Sequence, residues 1–134
     1  MIVISDTTPL NYLILLEQAH SLHELYGGVA LPQAVSQELQ RESTPEEVRA
    51  WIVNHPEWLE VHSVNAPDST LNLGIGEREA ITLAQQLQAD LILLDDRKAW
   101  RVAQERGLAV ISTLAVLAQP PRTAWLTSRR PSIV

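Results

Sequence analysis

The sequence predicts a single three-layer α/β/α domain around a central parallel β-sheet. Its 134 residues match the usual size of one domain, and 46% are hydrophobic, enough for a real core. Short apolar runs without polar alternation, at residues 2–4, 29–31, 90–94 and 108–111, read as strands buried on both faces. Helix-like stretches separate these runs, which is the pattern of a parallel sheet covered by its own crossovers.

The elements follow in order. Residues 2–4 form the first strand, ending at Ser5-Asp6. Thr8-Pro9 supplies an N-cap followed by Pro at the first helical position, opening a helix to about Ala19. Gly27-Gly28 breaks the chain before the second strand, and Pro32 starts a helix carrying Val35 and Leu39. Pro45-Glu46-Glu47 opens another helix to about Asn54, with its acids where the helix dipole favours them. Residues 58–64 alternate and are β-like. Gly74-Ile75-Gly76 leads into a strong helix over 77–88. The strand at 90–94 closes at Asp95-Asp96, a helix over 97–106 stops at Gly107, and 108–111 is the last buried strand. No internal repeat or linker divides the chain, so residues 1–134 are expected to form one domain. Its core spans about 2–118, and residues 119–134, with Pro120, Pro121 and Pro131, form an irregular tail.

Charge and composition narrow the chemistry. There is no cysteine, which excludes a disulfide framework, a thiolate metal site and a cysteine nucleophile. The first basic residue is Arg41, and the apolar stretch from Leu10 to Leu16 is interrupted by Asn11. Neither a signal peptide nor a membrane span is expected, and the protein is expected to be cytoplasmic. The net charge of −6 is unevenly spread. Residues 1–96 carry 15 acidic and 3 basic side chains, whereas 97–134 carry 7 basic and 1 acidic. An acidic body beside a basic rim suits a metal-binding cleft that attracts phosphate, although chance clustering of solvated charge accounts for it equally.

In an open parallel sheet, ligands bind outside the carboxyl ends of the strands. Asp6 and Asp95-Asp96 fall there. On the helix over 77–88, the stripe Ala80, Ile81, Ala84 and Leu87 places Glu77 on the inward side and Glu79 nearly opposite, toward water. Glu38 borders the Leu31, Val35 and Leu39 stripe and can reach inward. Acids gathered in one cleft repel one another unless a cation neutralises them, and an all-oxygen set without Cys suits Mg²⁺ or Mn²⁺ better than zinc. Each acid alone has a plainer reading. Asp6 can terminate a strand, Glu38 can be a surface residue, Glu77 can serve the helix dipole, and one of Asp95 and Asp96 can cap the next helix. His20, His23, His55 and His62 lack metal-ligand grouping, and Trp51, Trp58, Trp100 and Trp125 are expected to pack rather than stack on bases. Gly74-Ile75-Gly76 lacks the Lys-Ser/Thr of a phosphate loop.

Four motifs, read together, carry a resemblance. Val3-Ile4-Ser5-Asp6-Thr7-Thr8-Pro9-Leu10, Leu31-Pro32-Gln33-Ala34-Val35-Ser36-Gln37-Glu38-Leu39, Gly76-Glu77-Arg78-Glu79-Ala80-Ile81 and Leu93-Leu94-Asp95-Asp96-Arg97 stand in order. Together they resemble a PIN domain, close to the VapC-like toxins of toxin–antitoxin pairs. The resemblance covers about residues 2–118. It implies a small α/β ribonuclease in which a metal-activated water attacks a phosphodiester of single-stranded RNA. Carried over by motif, the acids are Asp6, Glu38, Glu77 (with Glu79 as a substitute) and Asp95 with Asp96 adjacent. Thr7 and Thr113 resemble supporting polar residues. Arg97, Lys98 and Arg101 are expected to hold phosphate, and the partners implied are RNA, a cognate antitoxin and a second copy in a homodimer. Ser112-Thr113-Leu114-Ala115 departs from the family's usual Gly-Thr-Leu-Gly, Trp100 replaces a common basic residue, and the proline-rich tail is unlike a final helix.

Two other readings compete. A catalytically inactive PIN-like module would bind a partner or nucleic acid without cutting. A haloacid-dehalogenase-like phosphatase also pairs an early Asp with a late Asp-Asp, but Thr8 stands where its second acid belongs.

Overall fold

The computed structural model describes residues 1–119; the expected irregular tail beyond Gln119, with Trp125, lies outside the described residues. The elements in chain order are β1 (Val3–Ser5), α1 (Thr7–Leu15), α2 (His20–Tyr26), β2 (Val29–Pro32), α3 (Gln33–Glu38), α4 (Glu46–Val53), β3 (Leu59–His62), α5 (Ile75–Gln86), β4 (Leu91–Leu93), α6 (Arg97–Glu105), β5 (Val110–Ile111) and α7 (Thr113–Ala118). The five strands form one sheet in the order β3-β2-β1-β4-β5, and every pairing is parallel. Among the described residues, no helix is long and apolar enough to cross a membrane.

The period of two along the strands builds the two cores. Val3 and Leu93 turn to one face, where they join Leu10, Leu13, Leu22, Val48, Ile52 and Val116 from α1, α2, α4 and α7. Ile4, Ile92 and Leu94 turn to the other, against Ala80, Ile81 and Ala84 of α5 and Ala99 and Ala103 of α6. Both faces of the central strands are therefore buried, which is why β1 and β4 carry no polar alternation. The edge strand β3 does alternate, and β5 is half-buried rather than the fully buried strand its apolar run suggests, because it closes the other edge.

Helix ends differ most from expectation. Helix α1 begins at Thr7, with Asp6 in the N-cap place, rather than at Pro9. It stops at Leu15 rather than near Ala19. The Gln18 N–H donates to Leu13 O at 2.8 Å and the Glu17 N–H to Ile14 O at 3.0 Å, the two bonds of a Schellman closure, with Glu17 at φ 57°. Helix α5 closes in the same way, with Gln88 at φ 52° and the Ala89 N–H donating to Ala84 O at 2.8 Å. Helix α6, by contrast, uses the expected glycine of such a closure, Gly107 at φ 79°. The left-handed conformation costs a non-glycine residue roughly 1 kcal/mol. Glu17 and Gln88 are both exposed. Glu17→Gly and Gln88→Gly are each expected to raise unfolding stability by about 1 kcal/mol, read from urea titrations, less the unfolded-state entropy of glycine. A loss of stability in both would refute the strain.

Helices α2 and α7 are separate elements that periodicity alone did not mark. Helix α7 is capped by Ser112, whose Oγ accepts the Ala115 N–H at 3.1 Å. The sheet order places the topological switch point between β1 and β4, where successive crossovers run to opposite sides. Asp6 follows one of these strands and Asp95-Asp96 the other.

Candidate active site

The ladder between β1 and β4 continues one residue past the strands, with the Asp6 N–H donating to Leu93 O at 3.1 Å. This fixes the Asp6 side chain at the mouth of the switch point. A pocket of about 200 Å³ opens there, lined by Asp6, Thr7, Thr8, Glu38, Gly74, Gly76, Glu77 and Asp96. A second cavity, lined by Met1, Ile2, Gly28, Glu60 and His62 among others, is larger but mostly apolar and gathers no comparable set of acids.

Asp6 is only 4% exposed, and its Oδ1 is buried without a hydrogen-bond partner. Burial pushes its carboxyl up to about 7; the Thr7 backbone N–H opposes this, and the nearby Glu77, Glu38 and Asp96 add to it. Glu77 projects from the first turn of α5, as its helical phase predicted, and its Oε2 is also buried and unpartnered. Its carboxyl is raised above the usual range, chiefly by burial and then by the charge of Asp96. Glu38, from the end of α3, is placed differently. Its Oε2 accepts the Thr7 hydroxyl at 2.6 Å and its Oε1 accepts the Gly76 N–H at 3.1 Å.

The Asp95-Asp96 pair divides. Asp96 lines the pocket while also capping α6, accepting the Ala99 N–H at 2.9 Å. Asp95 turns away, accepting the Thr113 N–H at 2.9 Å and the Thr113 hydroxyl at 2.5 Å, and so joins β4 to α7. Thr113 is buried and supports the site at one remove. Glu79 does not face water as its helical phase suggested. It is half-buried outside the pocket walls, and its Oε1 accepts the Ala34 N–H at 3.2 Å in the first turn of α3. Arg97, Lys98 and Arg101 are exposed along α6, beginning one residue after Asp96.

The histidines are occupied elsewhere or apart. His23 bonds Gly27 O at 2.7 Å and stacks on Trp58, and Trp51 also packs against Trp58. Sequence reasoning did not single out Thr8, Gly74 and Gly76 as pocket walls. The Gly-x-Gly spacing directly before an inward acid was the available signal. A Cβ on Gly76 would lie 2.6 Å from Glu38 Oε1, so only glycine lets that carboxylate lie against the backbone.

A family model described as DUF3368, a PIN domain, matches residues 2–133. The chain belongs to the PIN-domain family. This PIN domain is also similar to a solved structure, a PilT N-terminus domain protein from the hyperthermophilic archaeon Sulfolobus solfataricus P2. The TM-score is 0.65 at 20% identity, over 88% of this chain and 92% of that one, a likeness of fold. No curated protein matches the chain in sequence. PIN domains are typically nucleases that use divalent metal ions. Family membership leaves the haloacid-dehalogenase reading without support.

Among the described residues, no three acidic or histidine side chains converge closely enough to form a ready-made ion cage. The donors nevertheless fit a hard divalent cation. They are all oxygens, and two of them, Asp6 Oδ1 and Glu77 Oε2, are buried in one pocket with no protein partner. An orphaned carboxylate oxygen is costly, and a cation is the simplest group that satisfies two at once.

Proposed function

We propose that this PIN domain is a Mg²⁺- or Mn²⁺-dependent endoribonuclease that cleaves phosphodiesters of single-stranded RNA and acts as the toxin of a toxin–antitoxin pair. The observation that carries the reading is the pair of buried, unpartnered carboxylate oxygens of Asp6 and Glu77 at the switch point. In this reading Asp6, Glu77 and Asp96 hold the ion. A bound divalent ion lowers the pKa of a water and neutralises charge building on the phosphoryl oxygens.

The chain's own residues supply the rest. Asp6 and Glu77, both raised toward neutrality, are poised to exchange protons with the attacking water and the departing ribose oxygen. Arg97, Lys98 and Arg101 draw the backbone phosphates toward the pocket from the exposed side of α6. Asp95, through Thr113, anchors α7 beside β4 and keeps the Asp96 turn in place. The antitoxin covers the acidic cleft, the PIN domain pairs with a second copy, and the work is done in the cytoplasm, where such RNA is found.

The deciding test is cleavage of a labelled single-stranded RNA with Mn²⁺ or Mg²⁺. Cleavage that EDTA abolishes and added Mn²⁺ restores is expected. Absence of both cleavage and Mn²⁺ binding would favour the inactive binding module. Arg97→Ala with Arg101→Ala should raise KM severalfold, flatten its dependence on salt and leave the metal requirement intact. An unchanged KM would remove these residues from the RNA path. Size-exclusion chromatography with light scattering checks the dimer.

A further inference from the structure

The four acids around the pocket are not alike. Asp6 Oδ1 and Glu77 Oε2 have no partner, whereas both oxygens of Glu38 accept protein hydrogen bonds, from Thr7 Oγ1 at 2.6 Å and from Gly76 N–H at 3.1 Å. The Glu38 carboxylate also lies flat against Gly76, where a Cβ would stand 2.6 Å from Oε1 and 3.0 Å from both Cδ and Oε2. One face of the group is thus covered by the backbone of α5. Charge-assisted bonds to two donors hold it more firmly than neutral contacts would.

A second acid repeats the arrangement in reverse. Glu79 of α5 accepts the N–H of Ala34 at 3.2 Å, in the first turn of α3. So the end of α3 receives an N–H from the start of α5, while α5 receives one from the start of α3. Neither donor has a partner within its own helix, because first-turn N–H groups lie before the ladder begins. Each glutamate therefore satisfies an orphan donor of the other helix and sets the separation of the two.

We propose that Glu38 and Glu79 form a reciprocal brace between α3 and α5, and that Glu38 is a positioning residue rather than an ion ligand. The brace fixes the first turn of α5, and with it Glu77, against Thr7 and hence against Asp6. The role in catalysis rests on the nuclease reading; the brace itself does not.

Two readouts on the full chain separate these. In metal-free protein, Glu38→Ala should speed amide hydrogen exchange at Gly76 by about tenfold or more, and Glu79→Ala should do the same at Ala34. Glu38→Gln and Glu79→Gln keep an accepting oxygen and should stay within about threefold of wild type. Unchanged exchange in the alanine variants would overturn the brace. In Mn²⁺ titrations, Glu38→Gln should bind within about threefold of wild type, whereas Asp6→Asn should lose about thirtyfold or more. An equal loss in both would make Glu38 a ligand and overturn its assignment. If wild type takes up no Mn²⁺, the nuclease reading fails and the exchange data alone decide the brace. Where RNA is cleaved, Glu79→Ala should slow turnover about tenfold and Glu79→Gln should restore it to within about threefold. A failure of the glutamine variant to restore turnover would overturn the positioning role.

Discussion

Replacing Asp6 by Asn is expected to make the metal-free protein more stable at neutral pH while removing its activity. Asp6 carries a carboxyl raised from 3.8 to about 7, with burial the main cause. The native state thus holds a proton that the unfolded chain releases near pH 4. The Asp6 contribution to stability is fully present below the unfolded pKa and is lost as pH rises through the folded value. A rise of this size corresponds to about 4 kcal/mol, an upper bound because relaxation and neighbouring charges share it. Asn has the same shape and no charge, so it escapes the penalty. Urea titrations in EDTA at pH 5 and pH 8 should show the variant gaining on wild type as pH rises, by roughly 2–3 kcal/mol at pH 8. RNA cleavage should fall at least about 100-fold. A variant that is no more stable than wild type at pH 8 would show that Asp6 is not held ionised in a desolvated place. A variant that still cleaves RNA would move the chemistry away from this pocket.

Gly76→Ala is expected to separate stability from activity in another way. The new methyl must displace the Glu38 carboxylate, since 2.6 Å is far inside van der Waals contact. The loss of two charge-assisted hydrogen bonds would cost about 2–4 kcal/mol. Alanine in a helix returns up to about 1 kcal/mol, and Glu38 is only half-buried, so its carboxylate has water to turn to. Net destabilisation should therefore stay near 1–2 kcal/mol. Cleavage should fall more steeply, by about 100-fold, because α5 and Glu77 shift together. Thermal melting together with cleavage rates at a temperature well below the melting point would reveal this split. A variant with full activity would show that the Gly76–Glu38 contact has no bearing on the pocket.

Most of the architecture could be read from apolar runs. Leu91, Ile92 and Leu93 have to be hydrophobic on both sides because helices cover both faces of β4, and that requirement shows in one dimension. The same logic located Asp6 and the Asp95-Asp96 pair at strand ends. Helical phase turned Glu77 inward correctly but misplaced Glu79, whose partner Ala34 stands 45 residues away and leaves no local trace. Whether Asp95 or Asp96 lines the pocket depends on the turn after β4 and on Thr113, which no spacing encodes. Helix ends at Glu17 and Gln88 were missed because the left-handed closure there lacks the glycine that normally announces it.

The placing of β1 in the middle of the sheet bears on how the protein is made. Asp6 leaves the ribosome among the first residues, yet the strand that completes its surroundings, β4, pairs Val3 with Leu91. Until β4 and the turn after it have been synthesised, Asp6 has neither Glu77 nor Asp96 fixed beside it. Long-range parallel pairing of this kind is also slow to close, because the intervening loop must be ordered first. A nascent chain is therefore harmless to the message that encodes it, and any nuclease activity begins only once translation of the domain is nearly over.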